Sequence, residues 1–148
     1  MVKRKSLEGN VCPVARALDL IGDWWSLLII RDALAGTRRF SEFQRSLGAA
    51  KNILTTRLRT LVAQGILEVA PASDGSAYQE YVPTEKGRAL LPVLVALGQW
   101  GREYLFEPDE PCSILVDTKK QRPLSKLQLR AEDGRPLQSD EVVFRTPS

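Results

Sequence analysis

The sequence predicts a mainly α-helical fold with one small β-hairpin, a winged helix-turn-helix, followed by a short β-rich C-terminal extension. Three observations predict it. Four stretches with helical periodicity come first, and the third of them is short and separated from the fourth by a tight turn. Two short strand-like segments follow, and then a long apolar helical stretch. Helix, helix, short helix, turn, helix, hairpin, helix is the element order of this fold.

Changes in residue composition and periodicity along the chain predict three segments. The 148 residues are enough for one compact domain with a hydrophobic core. A polar, flexible N-terminus is expected at 1–11, the helix and hairpin domain at 12–107, and an extension at 108–148. The extension is expected to form short β-strands, with Asp133 and Gly134 in a hairpin turn.

The first two helices are predicted from their caps. Pro13 suits the first position of a helix, so Cys12 is the predicted N-cap. Asp23 is the predicted N-cap of the second helix, "WWSLLIIRDALA". This stretch is apolar nearly all round, as in a helix enclosed by others, so Trp24 and Trp25 are expected in the core.

The next two helices form the predicted helix-turn-helix pair. In "RRFSEFQRSLG", Ser41 and Gln44 have the spacing of a capping box, and Gly48 ends this short helix. The stretch "KNILTTRLRTLVAQG", residues 51–65, predicts the second helix of the pair. Its apolar residues recur at helical spacing on one side: Leu54, Leu58, Leu61 and Val62.

The period changes after this helix. "ILEVAP" and "AYQEYVP" predict two strands, and the loop between them carries Asp74 and Gly75, a hairpin signal. We expect the hairpin at residues 66–82 to be the wing. Thr84 is the predicted N-cap of a long helix, which should bend because Pro92 lies in its interior.

Positive charge is concentrated in the first part of the chain. Residues 1–65 contain 11 Lys and Arg against 5 Asp and Glu, whereas residues 66–105 contain 3 against 5 and residues 106–148 contain 7 against 8. A local basic excess is the electrostatic footprint of a nucleic-acid binder, although a merely solvated basic surface has the same composition.

The polar side of the helix at 51–65 indicates what the basic region binds. A major groove admits one α-helix, which must bury one side on its own domain and offer the other to base edges. That side is rich in Thr, Asn and Arg, and the helix contains no acidic residue. Arg can bind guanine and Asn adenine with two hydrogen bonds each, and basic residues before the pair can bind phosphate. The predicted DNA contacts are Arg38, Arg39, Lys51, Asn52, Thr55, Thr56 and Arg59.

Several classes of function are not expected from the composition. The chain has no His and only two isolated Cys, so neither a metal site nor the usual His-dependent catalytic groups are predicted. We expect no cofactor and no enzymatic activity. No apolar run approaches the roughly 20 residues that span a bilayer, and no signal peptide is evident, so a cytoplasmic protein without membrane contact is expected.

Four stretches in order resemble a known family. "CPVARALDLIGDWW", "RRFSEFQ", "ILTTRLRTLVAQGIL" and "VPTEKGRALLPVL" together resemble the HxlR family of bacterial transcription regulators, relatives of the MarR-type winged-helix repressors. The resemblance covers residues 12–105. It implies that 12–107 is a DNA-binding and dimerisation domain, and that the protein is a homodimeric, sequence-specific regulator, a repressor, of operators with two-fold symmetry.

The chain departs from the family pattern in two places. Trp24 stands where members commonly carry Lys, and the wing loop "PASDGSA" lacks the basic residue that is often found there. A contact from a wing Arg to the minor groove is therefore not expected.

Cys12 is a predicted redox-sensing residue. A thiol at a helix N-cap feels the positive end of the helix dipole, and Arg16 lies one turn further on, so both favour the reactive thiolate. The resemblance implies the same role, because several family members sense oxidants or electrophiles through a cysteine in this "CP" position. The alternative is that Cys12 serves only as a small apolar residue in packing.

The last helix is predicted to form a dimer interface. Its apolar face is broad, and a second copy would cover it, although the extension at 108–148 could do so instead. The residues are Leu94, Leu97, Trp100, Tyr104 and Leu105. The predicted partners are thus an operator duplex, a second copy and a small-molecule or oxidant effector. The alternative function is a winged-helix protein-interaction module without DNA binding.

Overall fold

The computed structural model describes residues 6–147. Of the N-terminus that was predicted to be flexible, residues 1–5 lie outside this range. The chain divides into two compact units, of which the first ends at Leu91 and the second begins at Pro92. The elements in chain order are α1 (Pro13–Ile21), α2 (Trp24–Leu34), α3 (Phe40–Leu47), α4 (Lys51–Ala63), β1 (Leu67–Pro71), β2 (Gln79–Pro83), α5 (Glu85–Arg88), α6 (Leu91–Leu105) and a 3₁₀ turn (Ser139–Glu141).

Helices α1 and α2 begin where their caps were predicted. Cys12 is the N-cap of α1 and has an extended backbone, while Pro13 is the first helical residue. Asp23 caps α2, and its carboxylate accepts from the Ser26 amide at 3.0 Å and from the Ser26 hydroxyl at 2.7 Å. Both helix starts are therefore fixed by local sequence.

The core of the first unit joins α2, α3, α4 and the start of the hairpin. Its largest fully buried apolar side chains are Phe43, Ile29, Ile30, Leu54, Leu58, Leu61, Ile66 and Leu67. Trp24 was expected in this core, and the expectation is wrong because its side chain is 73% exposed. Trp24 is the first residue of α2, and the buried side of that helix is defined further along, by Ile29, Ile30 and Ala33.

Helix α3 starts earlier than predicted. The N-cap is Arg39, not Ser41. The carboxylate of Glu42 accepts from the backbone amides of Arg39 at 2.9 Å and Arg38 at 3.2 Å. These two bonds also lower the pKa of Glu42 below its usual value. A carboxylate binding two free amides at the start of the helix outweighs the Ser41 signal. Gly48 ends the helix with a left-handed φ of 64°, as predicted.

The wing is a two-stranded antiparallel hairpin. Strands β1 and β2 pair from Leu67 opposite Pro83 to Pro71 opposite Gln79. The connecting segment, residues 72–78, is hereafter the wing loop, and Gly75 in it has a φ of 77°. The amide of Tyr81 donates to the carbonyl oxygen of Arg38 at 2.7 Å, which ties β2 to the segment before α3.

The helix predicted to begin after Thr84 is broken in two. The Thr84 hydroxyl caps α5 as predicted, accepting from the Gly87 amide at 3.1 Å, but α5 ends at Arg88 and α6 begins at Leu91. The predicted bend is therefore a break. Pro92 cannot follow a continuous helix, because its ring would collide with the carbonyl of Arg88 four residues before it, whereas the first turn of a new helix accepts it.

The second unit consists of most of α6 and the extension. The strands predicted in the extension are reduced to two single antiparallel bridges, Val116 with Pro123 and Arg130 with Pro136. The turn at Asp133 and Gly134 is present between the second pair, and Gly134 has a φ of 91°. Each segment between turns is too short and too exposed for a longer ladder. No helix among residues 6–147 is long and apolar enough to cross a membrane.

Candidate nucleic-acid interface

Helix α4 has one buried side and one exposed side. The buried side consists of Leu54, Leu58 and Leu61, each no more than 1% exposed. The predicted groove-facing residues lie elsewhere on the helix: Lys51, Asn52, Thr56 and Arg59 are exposed, and Thr55 is half-buried. The three leucines fix the rotation of α4, so the polar residues are presented to solvent from a rigid element.

The charges on the exposed side of α4 are not neutralised by the protein. Within residues 6–147, the side chains of Lys51, Asn52 and Arg59 have no hydrogen bond or ion pair to another protein group. There is also no acidic residue anywhere in α4. Two cations and an amide are therefore available to bind an outside group, and an anionic surface is favoured.

The threonines of α4 bond to their own helix. The Thr55 hydroxyl donates to the carbonyl oxygen of Lys51 at 2.8 Å, and the Thr56 hydroxyl donates to that of Asn52 at 2.9 Å. Thr60 does the same one turn later, to Thr56 at 3.1 Å. With the hydroxyl hydrogens directed at the backbone, these side chains offer a methyl group and an acceptor oxygen to a ligand.

Arg57 differs from its neighbours on α4 because it faces its own domain. Its Nε lies 3.2 Å from Oδ2 of Asp23, although the N–H is not aimed at that oxygen well enough for a hydrogen bond. Asp23 also caps α2, so one carboxylate serves the start of α2 and the flank of α4. Arg57 is therefore placed beside an acid of its own domain.

Arg38 is turned toward the end of α2. Its Nη1 donates to the carbonyl oxygens of Ala33 at 2.8 Å and Thr37 at 3.0 Å, and the side chain is half-buried. Basic side chains commonly satisfy the free carbonyls of the last helical turn in this way. The predicted phosphate contact is thus engaged, through one of its nitrogens, in holding the chain between α2 and α3.

Arg39 is turned toward the wing loop. Its Nη2 bonds to Oδ2 of Asp74 and donates to the Ser76 hydroxyl at 3.3 Å, while its guanidinium lies 4.9 Å from the ring centre of Tyr78. The pKa of Arg39 is raised, chiefly by the hydrogen bond to Asp74. Sequence reasoning did not find these three partners; the unusual acid in the wing loop was the only signal.

Cys12 lies half-buried at the start of α1. Its backbone amide donates to Oδ1 of Asn10 at 2.9 Å, and Nε of Arg16 donates to the carbonyl oxygen of Asn10 at 2.6 Å. Arg16 therefore sits against the turn that leads into the cap. The other free thiol, Cys112, belongs to the second unit.

In the second unit the extension is bonded to one side of α6. The amide group of Gln99 donates to the Ser125 carbonyl at 3.0 Å and accepts from the Leu127 amide at 2.8 Å, and Lys126 pairs with Glu103 at 3.5 Å. The predicted interface residues lie on another side. Leu94 among them is half-buried, while four are exposed: Leu97, Trp100, Tyr104 and Leu105.

Comparison with known proteins gives concordant results. Residues 20–109 match the model of the HxlR-like helix-turn-helix family. The chain is 46% identical over 98 residues to Rv3095 of Mycobacterium tuberculosis, an uncharacterised HTH-type transcriptional regulator. That match covers 66% of this chain and 62% of the relative, so the chain spans less than two thirds of the mycobacterial protein.

Solved structures show the same fold. The crystal structure of PA1607, described as a candidate transcription factor, has a TM-score of 0.88 and 52% identity, covering 94% of this chain and 97% of that one. The redox regulator HypR in its oxidised form has a TM-score of 0.56 and 34% identity, covering 62% of this chain and 96% of that one.

Proposed function

This chain belongs to the HxlR-like helix-turn-helix family of transcriptional regulators, and we propose that it acts as a homodimeric repressor that reads its operator with α4. The observation that carries the proposal is the exposed side of α4. It presents Lys51, Asn52 and Arg59, whose side chains have no hydrogen bond or ion pair within residues 6–147, and the helix contains no acid. A repressor of this kind works where the chromosome is, so we place it in the cytoplasm.

The proposed contacts divide into two kinds. Lys51 at the start of α4 binds phosphate, which positions the helix without reading sequence. Asn52 and Arg59 reach base edges, where each can form two hydrogen bonds, to adenine and guanine respectively. The methyl groups of Thr55 and Thr56 suit the methyl group of thymine, since their hydroxyl hydrogens are already bonded to the helix. The remaining donor nitrogens of Arg38 bind phosphate at the edge of this surface.

The dimer forms, in this proposal, through the exposed side of α6. The rings of Trp100 and Tyr104 form a tilted pair there with centres 5.6 Å apart, and Tyr104 is 65% exposed. Among residues 6–147 the extension leaves this side exposed, and its hydrogen bonds and ion pair to α6 involve Gln99 and Glu103. A two-fold dimer presents two copies of α4 about one turn of DNA apart, roughly 34 Å.

We further propose that Cys12 links DNA binding to oxidants or electrophiles. Its half-buried position at the N-cap of α1 and the similarity to the redox regulator HypR support this role. Modification of the Cys12 sulfur by the oxidant or electrophile changes the preferred arrangement of the dimer, and only such a difference between two states can change DNA affinity. A Cys12→Ser variant should bind DNA normally and lose the response to a quinone or hydrogen peroxide; a full response in this variant contradicts the proposal.

Selection of bound duplexes from a random library tests the DNA-binding function. We expect enrichment of one sequence with approximate two-fold symmetry, bound with an affinity that falls steeply as salt rises. A protein-interaction module without DNA binding would give no enrichment and weak binding that does not respond to salt. That result would contradict the proposed function.

A further inference from the structure

The side chain of Arg39 crosses from the helix-turn-helix to the tip of the wing. One guanidinium contacts three residues of the wing loop: the Asp74 carboxylate, the Ser76 hydroxyl and the face of the Tyr78 ring. The residues that it joins are 35 to 39 positions apart in the chain. A fixed, planar donor group that bonds a carboxylate and also stacks on an aromatic ring defines an orientation, which a single ion pair does not.

The backbone on the helix side of this contact is held in place. The amides of Arg38 and Arg39 both donate to the Glu42 carboxylate, which starts α3. The carbonyl oxygen of Arg38 accepts from the Tyr81 amide at 2.7 Å. The Arg39 side chain therefore projects from a segment that is hydrogen-bonded both to α3 and to strand β2 of the wing.

The wing side of the contact is also held in place by hydrogen bonds. Oδ1 of Asp74 accepts from the Ser76 amide at 2.9 Å, which leaves Oδ2 for Arg39. The Ala72 amide donates to the Tyr78 carbonyl at 3.2 Å and closes the base of the loop. The Ser73 hydroxyl donates to the buried Glu80 carboxylate at 3.2 Å. Asp74 thus closes the turn with one oxygen and binds Arg39 with the other.

We propose that Arg39 is a positioning residue that sets the angle of the wing against the helix-turn-helix, and that it is not a phosphate ligand. This inference rests on the proposed DNA-binding function. It replaces the expectation from the sequence that Arg39 binds phosphate. The wing then meets DNA without a cationic side chain, and the positive charge that binds phosphate comes from α4 and its surroundings.

Charge balance favours this assignment over a phosphate contact. Asp74 neutralises the charge of Arg39, so the ion pair adds little to the electrostatic attraction for DNA. Moving Arg39 to a phosphate would leave the Asp74 carboxylate uncompensated beside a polyanion. It would also break the contacts of Arg39 to Ser76 and Tyr78. Lys51 and Arg59 have no such contacts to lose within the described residues.

Salt dependence separates a positioning residue from a phosphate ligand. The variants are Arg39→Gln, Asp74→Asn and their double variant, and Lys51→Ala serves as the reference for a lost phosphate contact. Asparagine keeps the acceptor for the Ser76 amide, so Asp74→Asn removes the charge with little effect on the turn. The plot of log affinity against log salt should lose about one unit of slope in Lys51→Ala.

We expect Arg39→Gln to weaken operator binding roughly two- to fivefold. The double variant removes both charges of the pair, so it should be no weaker than Arg39→Gln and should retain the wild-type salt slope. A slope that falls in the double variant as in Lys51→Ala, or wild-type affinity in both variants, overturns the proposal.

Hydrogen exchange of the DNA-free protein supplies an independent reading. The amides of the wing loop, residues 72–78, should exchange faster in both single variants than in wild type, while those of α4 should be unchanged. Unchanged exchange in the wing loop overturns the proposal even if DNA affinity falls. Absence of salt-dependent DNA binding by the wild-type protein would contradict the proposed function instead. The hydrogen-exchange result would still test the Arg39 contact in that case.

Discussion

Arg57 and Arg59 are two positions apart on α4 and have opposite surroundings. Arg57 lies against Asp23 of its own domain, whereas Arg59 has no partner among the described residues. Two residues correspond to about 200° of helix rotation, so neighbours of the same type face different environments. At this scale the role of a basic residue is decided by helical phase and by the nearest carboxylate.

Sequence reasoning succeeded at positions governed by local rules. The spacing of Leu54, Leu58 and Leu61 was enough to predict that Asn52 and Arg59 would be exposed. It did not find the bond between Arg39 and Asp74, because that contact depends on how the hairpin folds back onto the segment before α3. The predicted N-cap of α3, Ser41, was wrong for a local reason. The Glu42 carboxylate accepts from two backbone amides that precede Ser41.

The titration of Asp74 is a prediction at the residue scale. Its pKa is lowered from 3.8 to about 2, first by the Ser76 backbone amide, then by the Ser76 hydroxyl and the Arg39 guanidinium. A carboxyl whose pKa falls on folding stabilises the fold above its unfolded value and loses that contribution as pH falls through the folded value. The stability contribution of the Asp74 carboxylate should therefore be full from neutral pH down to about 3.8 and be lost between there and about 2, whereas the contact itself persists in the folded protein until the carboxylate is protonated near pH 2.

Carboxyl-carbon NMR of Asp74 measures this directly. Wild type should titrate well below the ordinary aspartate range, and Arg39→Gln should shift the midpoint upward. An ordinary midpoint in the wild-type protein, or no shift in the variant, would contradict the contact as described.

At the scale of elements, α4 separates stability from recognition. Its buried leucines hold it on the domain, while its polar residues make few contacts with the rest of the protein. Neighbouring substitutions on α4 should therefore affect different properties.

Leu58→Ala and Arg59→Ala form a matched pair on adjacent residues. Leu58→Ala should lower the free energy of unfolding by about 2–5 kcal/mol, because it leaves a cavity in the core. Arg59→Ala should change it by no more than about 0.5 kcal/mol, as for an exposed residue without partners. Urea denaturation of the two variants measures both values. A large destabilisation by Arg59→Ala would show that its side chain supports the fold.

The break between α5 and α6 shows what sequence patterns decide at this scale. The caps at Thr84 and the apolar period of α6 were both found from the sequence. Pro92 was interpreted as a bend inside one helix, whereas its missing amide and its ring end one helix and start another. In the extension, strand-like composition was a poor guide, because short exposed segments have no neighbouring strand to pair with beyond single bridges.

At the scale of the whole molecule, the exposed side of α6 leads to a prediction about assembly. Tyr104→Glu places a charge on that side and should convert the proposed dimer into a monomer with an intact fold, since Tyr104 is exposed. Arg102→Ala, on the same helix but lining a cavity with Phe106 and Leu124, is the control and should remain dimeric. Sedimentation velocity gives both results. A wild-type monomer at micromolar concentration, or a dimer unaffected by Tyr104→Glu, would contradict this interface.

The central claim is that the exposed side of α4 enters a DNA groove, and operator affinity of the Arg59→Ala variant tests it most directly. Wild type, Arg59→Ala and the control Lys119→Ala, which removes a charge from the extension, are compared on the selected operator at one salt concentration. We predict a loss of about 1–3 kcal/mol for Arg59→Ala with relaxed discrimination at one base pair, and wild-type affinity for Lys119→Ala. Equal affinity and equal discrimination in wild type and Arg59→Ala would contradict the account.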